Sequence, residues 1–123
     1  MKTLPALAAV LFLASASSPA APFSLSDLER ILSENGPKTM EDSLPLLPES
    51  FRRNAVLMKE SRSLQNASPD EPRALLSNED GSFVLAFNGY GSTFEMIQYH
   101  RKERRFEFAE VEFRRDGSPE VSH

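Results

Sequence analysis

The clearest pattern in the chain is an alternation of apolar and polar residues in its C-terminal half, with the period of two that a strand imposes. Between residues 82 and 88, Phe83, Leu85 and Phe87 share one side of such a strand. The connections between the alternating segments are short, which predicts an antiparallel meander. The turn Asn78–Gly81 predicts a hairpin. The predicted strands are residues 55–58, 74–77, 82–88, 93–100 and 106–113.

The last predicted strand contains a conflict in this pattern. Phe106 and Phe108 lie on one side of it, whereas Val111 and Phe113 lie on the other. One face of a regular strand cannot bury all four side chains. The sequence therefore predicts a bulge or a bend near residues 109–110.

One face of the sheet is predicted to form the core, and the opposite face is predicted to be more polar. Glu107, Glu110 and Glu112 are interpreted as the solvated side of the last strand. The predicted core residues of the sheet are Phe83, Leu85, Phe87, Phe94, Met96 and Phe106.

A short amphipathic helix is predicted in the N-terminal half. Its apolar positions, which have helical spacing, are Leu25, Leu28, Ile31 and Leu32. Either Ser24 or Ser26 can cap the helix, and Ser26 with Glu29 fits a capping box. Gly36 is expected to end it. Thr39 can open one further helical turn, but Pro45 and Pro48 disfavour regular pairing. An extended, packed connector is therefore expected, with a single turn at Pro48–Ser50.

These patterns predict an α+β fold in which a short N-terminal helix packs on a four- to five-stranded antiparallel meander sheet. Residues 17–53 would form an extended N-terminus, the short helix and the Pro-rich connector, and residues 54–115 the β module. The tail 116–123 contains Gly, Pro and Ser with little to bury, so it is expected to be frayed.

Residues 1–16 have the composition of a secretory signal peptide. Lys2 precedes an apolar run from Leu4 to Ala14, and the small triplet Ala14–Ala16 provides a cleavage site. The run is about ten residues long, whereas a membrane span needs about 20. We therefore predict an exported protein, periplasmic or secreted, without a permanent membrane anchor.

Composition excludes several kinds of chemistry. The 123 residues contain no Cys, which excludes thiolate metal sites, a Cys nucleophile and covalently attached haem. The formal net charge of −4 argues against general nucleic-acid binding, because that affinity depends on neutralising phosphates. The length indicates one small domain.

Basic residues near the end of the chain are the first candidate site. They admit two interpretations, a rim that binds an anionic partner or a solvated turn that discourages edge association. The anionic partner would be a polyanionic glycan, a lipid phosphate or an acidic protein face. The candidate rim consists of Arg101, Lys102, Arg104, Arg105, Arg114 and Arg115.

Arg62 and Arg73 are candidates for a structural ion pair rather than for binding. At least one of them is expected to pair with a carboxylate such as Glu60, Asp70 or Glu71, which would hold the long loop against the sheet.

His100 is the only histidine within the predicted β module, and a single His is a weak indication of a metal site. It is interpreted as a half-exposed residue at a strand end. No catalytic, cofactor-binding or metal-binding residue is therefore predicted. An enzyme would instead require a pocket that joins His100 to a Ser or a carboxylate.

Several short segments are shared with a known kind of protein. Residues 44–113 resemble the N-terminal region of exported bacterial proteins that carry a c-type cytochrome domain. The segments that carry the resemblance are Leu47–Glu49, Ser61–Gln65, Pro72–Arg73, Phe87–Gly89, Phe94–Gln98, Phe106–Phe108 and Glu112–Phe113.

The haem-attaching motif Cys-x-x-Cys-His that follows this region in such proteins is absent here, because the chain has no Cys. The signal segment, the strand-rich module and the absence of catalytic motifs, taken with this resemblance, predict a non-enzymatic, exported accessory module without a cofactor, which contacts a protein partner or a redox domain. Two alternatives stay open, a binder of anionic surface polymers and a truncated remnant with no function of its own.

Overall fold

Six antiparallel strands form one sheet in sequence order in the computed structural model, which describes residues 21–60, 67–89, 91–114 and 116–123. This confirms the antiparallel meander and corrects the predicted strand number from four or five to six. The strands are β1 (Ala55–Met58), β2 (Arg73–Ser77), β3 (Phe83–Asn88), β4 (Thr93–His100), β5 (Arg105–Glu112) and β6 (Glu120–Ser122). The predicted hairpin turn is present between β2 and β3, with Gly81 at a φ of 74°.

The sixth strand lies in the tail that was predicted to be frayed. β6 pairs with β5, and Val121 lies directly opposite Val111. Val121 also packs against the hydrophobic core. The prediction was wrong because one well-placed apolar residue and the backbone groups of β5 are sufficient to order this short segment.

Three short α-helices cover one face of the sheet. The first begins after Ser24, whose side chain accepts a hydrogen bond from the Asp27 amide at 3.4 Å, while Asp27 accepts one from the Ser24 amide at 3.0 Å. The capping box is therefore formed by Ser24 and Asp27, and the box predicted from Ser26 was wrong. Gly36 ends the helix at a φ of 56°, as expected. The helices are α1 (Leu25–Asn35), α2 (Met40–Ser43) and α3 (Glu49–Arg53).

The connector is helical rather than extended. Thr39 caps α2 as predicted, and a 3₁₀ turn at Leu44–Leu46 follows it directly. Pro45 lies at the start of this turn, where no backbone donor is required, and Pro48 precedes α3. Both prolines are thus compatible with helical turns.

The core lies between the helices and one side of the sheet, which we call the inner face. Phe83, Leu85, Phe94 and Met96 are buried there, as predicted, and Phe87 is partly buried against them. The helical side contributes Leu25, Leu28, Leu32, Met40, Leu47 and Phe51.

Two buried polar side chains attach the N-terminal segment to the sheet. Gln98 Oε1 accepts a hydrogen bond from the Leu25 amide at 2.9 Å, and its Nε2 donates to the Ser82 carbonyl at 3.2 Å. Asn78 Nδ2 donates to the Phe23 carbonyl at 2.8 Å. Because these polar groups are hydrogen-bonded, their burial fixes the position of α1 without leaving an unsatisfied donor.

The predicted bulge in β5 is absent. β4 and β5 pair without interruption from Thr93 opposite Glu112 to His100 opposite Arg105. Phe106 and Phe108 therefore point away from the helices, and they are 60% and 63% exposed. The prediction of Phe106 as a core residue was wrong, because it assumed that all the aromatic residues share one face.

In the part of the chain that is described, no helix has both the length and the apolar composition needed to cross a membrane.

Candidate interaction surface

The side of the sheet that the helices leave uncovered, which we call the outer face, is largely apolar. It was predicted to be the more polar side, and this was wrong. Several strands carry apolar residues in both positions of the alternation, such as Leu75 beside Leu76 and Val84 beside Leu85. The apolar residues of the outer face are Val56, Met58, Leu75, Val84, Ala86, Ile97, Tyr99, Phe106 and Phe108.

Three aromatic side chains lie next to one another on β4 and β5 of this face. Tyr99 lies opposite Phe106, with their ring centroids 4.9 Å apart, and Phe106 is 6.5 Å from Phe108. Val56 on β1 is 63% exposed and Ile97 is 39% exposed. Contiguous exposed apolar surfaces of this kind mark sites of interaction.

An open cavity of about 670 Å³ lies over the centre of the outer face. Val84, Ile97 and Phe108 are adjacent across three strands and form part of its lining. Ala86, with its small side chain, is 4% exposed at the base of the same region. The outer face is therefore recessed in the middle and raised at its aromatic side.

An ion pair borders this recess. Arg73 Nη2 on β2 lies 3.2 Å from Glu95 Oε2 on β4, with side-chain exposures of 11% and 22%. Ala86 lies between the two strands, so the pair extends across β3. Arg73 does form an ion pair, but with a strand carboxylate rather than with Glu60, Asp70 or Glu71 of the predicted loop. Arg62 lies outside the described residues.

The second carboxylate oxygen of Glu95, Oε1, differs from Oε2 in its surroundings. Oε1 is buried, and it has no hydrogen-bond partner within the described ranges. Burying a carboxylate oxygen without a donor is unfavourable, so such an atom calls for an explanation.

The candidate basic rim is divided between the two ends of β5. Arg101, Lys102, Arg104 and Arg105 lie at the turn between β4 and β5, whereas Arg114 follows the far end of β5. An eight-residue strand is about 26 Å long. The structure therefore does not bring Arg114 to the turn, and Arg115 lies outside the described residues.

Some of these basic residues are already paired. Arg101 Nη2 lies 3.2 Å from Asp80 Oδ2, and Arg114 Nη2 lies 3.1 Å from Glu120 Oε2. Hydrogen bonds from Ser82, with a smaller contribution from Arg101, hold the pKa of Asp80 below its usual value. Within the described part of the chain, Lys102, Arg104 and Arg105 form no ion pair.

A His and Glu cluster lies on the inner face at the edge of the helical layer. His100 Nε2 is 2.8 Å from Glu107 Oε1, and His123 Nδ1 is 2.9 Å from Glu107 Oε2. His123 Nε2 also lies 3.5 Å from Glu29 Oε1 on α1. His100 is half-buried at a strand end, as interpreted from the sequence. His123 was not predicted to contact the β module, because the tail was expected to be frayed.

Glu107 does not share a solvated side with Glu110 and Glu112, because it faces the helices and they face outward. The hydrogen bond from His100 is the main reason why the pKa of Glu107 is lowered from its ordinary value of 4.5. The hydrogen bond from His123 lowers it further, while burial opposes both.

The chemical capacity of this cluster is limited by its hydrogen bonds. A cavity of about 300 Å³ joins His100 and Glu107 to Ser24 and Ser26. The Ser24 hydroxyl, however, is hydrogen-bonded to Asp27 and to Ser26, not to His100. Among the residues the structure describes, no group of three His, Asp or Glu side chains is arranged to hold a metal ion. The cluster as it stands links β4, β5, the C-terminus and α1.

Glu107→Gln is expected to remove a pH-dependent part of the stability. Because the pKa of Glu107 is lowered in the folded state, its contribution is present above its ordinary value of 4.5 and is lost as the pH falls through the lowered value. Urea unfolding at a series of pH values measures it. The wild type should be more stable than the variant at neutral pH, and the difference should shrink as the pH falls below 4.5.

The matched control is Glu79→Gln, which changes an exposed carboxylate of the β2–β3 turn. It should leave the pH dependence nearly unchanged. A difference between wild type and Glu107→Gln that stays constant down to strongly acidic pH would contradict the assigned hydrogen bonds.

No protein-family model, curated protein or solved structure matches the chain.

Proposed function

We propose that the chain is a non-enzymatic, exported interaction module that docks a protein partner through the outer face of its sheet. The observation that carries the proposal is the exposed apolar surface formed by Val56, Ile97, Phe106 and Phe108 on a sheet whose core lies entirely on the other side. Export is proposed from the composition of residues 1–16.

The residue types on this surface favour protein binding. Aromatic anchors such as Tyr99, Phe106 and Phe108 supply a large apolar area with few rotatable bonds, which is typical of the residues that dominate interface energies. Burial of apolar surface contributes about 25 cal/mol per Å². Charged residues, including Arg101 and Glu110, surround the apolar centre, as the polar rim of an interface does.

The resemblance to the N-terminal region of cytochrome c-type exported proteins supports the same class of function. It implies contact with a protein partner or with a neighbouring redox domain. Both kinds of partner are proteins, and the outer face is the surface that we assign to this contact.

A second candidate function is binding of an anionic polymer at the β4–β5 turn. It is favoured by one observation, that Arg104 has no ion pair within the described residues and borders an open cavity of about 500 Å³ together with Arg101, Tyr99 and Phe106. Retention on immobilised heparin that is lost in Arg101→Ser/Arg104→Ser would support it. Absence of retention at low salt would remove it.

Photochemical cross-linking tests the proposed function directly. A benzoylphenylalanine is introduced at Phe108 of the outer face or at Ser33, an exposed residue of α1, and the full chain is irradiated in an extract of the exported proteins of the source cells. We expect covalent protein adducts, including any with a second copy, from position 108 and not from position 33. Absence of adducts from position 108, or the same adducts from both positions, would contradict the proposal.

A further inference from the structure

We infer that the outer face binds a second copy of this chain, forming a two-fold symmetric dimer in which the two sheets pack face to face with antiparallel strands. This inference rests on the proposed function, because it names the partner of the same surface. The charges at the two ends of the face and the size of the face support it.

The two ends of the outer face carry opposite charges. At one end, Arg101 and Arg104 border the aromatic residues Tyr99 and Phe106. At the other end, the carboxylates of Glu110 and Glu112 project from the same face of β5. Arg104 has no ion pair within the described ranges. The Glu112 side chain is 56% exposed and has a 3.6 Å contact with Arg114, so it is accessible to a further cation.

Symmetry restricts how two such faces can meet. A dimer with a two-fold axis uses the same patch on both copies. An axis that runs along the strands would place the basic end of one copy over the basic end of the other, and the acidic end over the acidic end, which brings like charges together. An axis perpendicular to the strands and parallel to the sheet reverses the strand direction and places the basic end over the acidic end.

The register of β4 and β5 indicates that this axis lies over the middle of the two strands. Ile97 lies opposite Phe108 at the middle of the two strands. An axis over this pair brings Phe108 near its own copy and places Arg104 over Glu112, since each is four residues away. Two aligned sheets pack about 10 Å apart with their strands about 30° from alignment, so long side chains such as these can meet.

The size of the face agrees with this occupant. Six strands about 4.8 Å apart span about 24 Å, and the longest strands are about 26 Å long. A specific interface buries about 800 Å² on each partner. Because the six strands have between 3 and 8 residues, the projected area of the face is about 540 Å², and the accessible area is larger once the side chains are included.

Sedimentation equilibrium of the full chain tests self-association, with Phe108→Asp as the disrupting variant. We expect the wild type to show a dimer whose dissociation constant rises at least about 30-fold in Phe108→Asp, the effect of a central interface residue. The matched control is Leu57→Asp, which introduces the same charge at an apolar residue that is 61% exposed on the inner side of β1. It should leave the dimer unchanged, and circular dichroism verifies that both variants are folded.

Charge reversal tests the antiparallel arrangement independently of Phe108. Arg104→Glu and Glu112→Arg should each weaken the dimer roughly tenfold. The double variant should restore it, because residue 104 of one copy and residue 112 of the other then again carry opposite charges. A dimer that is lost in Phe108→Asp but is not restored by the double reversal would overturn the antiparallel arrangement.

A wild-type chain that stays monomeric at millimolar concentration would overturn the inference of a self-dimer. The proposed function would still stand in that case if position 108 forms photochemical adducts with a different protein. Absence of both self-association and adducts would overturn the two together.

Discussion

Phe83→Ala is expected to lower the free energy of unfolding by about 3–5 kcal/mol, the usual cost of removing a fully buried phenyl ring. Phe83 is 0% exposed and is stacked on Phe51, with their ring centroids 5.7 Å apart. Phe23 lies against its edge at 6.0 Å. The substitution therefore leaves a cavity at the contact between β3 and α3, and urea unfolding followed by circular dichroism measures its effect.

The matched control is Phe108→Ala, which removes the same ring from the outer face. Phe108 is 63% exposed, so the free energy of unfolding of dilute protein should change by less than about 1 kcal/mol. Equal losses in the two variants would mean that both rings are buried in the folded chain, and the division of the sheet into a covered and an uncovered face would be wrong.

Arg73→Met is expected to cost about 3 kcal/mol, at the low end of the range for breaking a buried ion pair. The substitution leaves the Glu95 carboxylate, whose side chain is only 22% exposed, without its cation. Replacing both residues in Arg73→Met/Glu95→Met should recover much of this loss, because no uncompensated charge then remains. Urea unfolding of the two single variants and the double variant completes the cycle.

Arg53→Met is the control for this prediction. Arg53 pairs with Glu49 on the surface of α3, with side-chain exposures of 74% and 68%, and its loss should change the free energy of unfolding by less than about 1 kcal/mol. An Arg73→Met variant that is as stable as Arg53→Met would show that the pair across β3 does not contribute to stability.

The local elements were predictable because they depend on neighbouring residues. Alternation placed β3, β4 and β5 to within about a residue, and Asn78–Gly81 placed the hairpin turn. The helical spacing of Leu25, Leu28 and Leu32 gave the buried side of α1 correctly. Each of these features is decided within a few residues of chain.

The assignment of faces was not predictable from the same pattern. Alternation shows that Phe106 and Phe108 lie on one side and Val111 and Phe113 on the other, but it does not show which side the helices cover. We assumed that every aromatic ring is buried, and this assumption produced a bulge that the uninterrupted pairing of β4 and β5 contradicts. Adjacent apolar residues, such as Val84 and Leu85 on β3, lie on opposite sides of a strand. They were the indication in the sequence that the sheet has a second apolar face.

Long-range partners were also beyond the sequence. Arg73 forms its ion pair with Glu95, which is 22 positions away along the chain. His123 reaches Glu107 only because β6 brings the tail back to β5. Such contacts depend on the order and register of strands, which short segments of sequence do not specify.

The sheet has one apolar face that is covered by helices and one apolar face that is open to solvent. Hydroxyl-radical footprinting of dilute protein, read by mass spectrometry, tests this arrangement at each ring. We expect rapid oxidation of Phe106 and Phe108 and protection of Phe83 and Phe94. Protection of Phe106 and Phe108 as complete as that of Phe83 in a monomeric sample would contradict it.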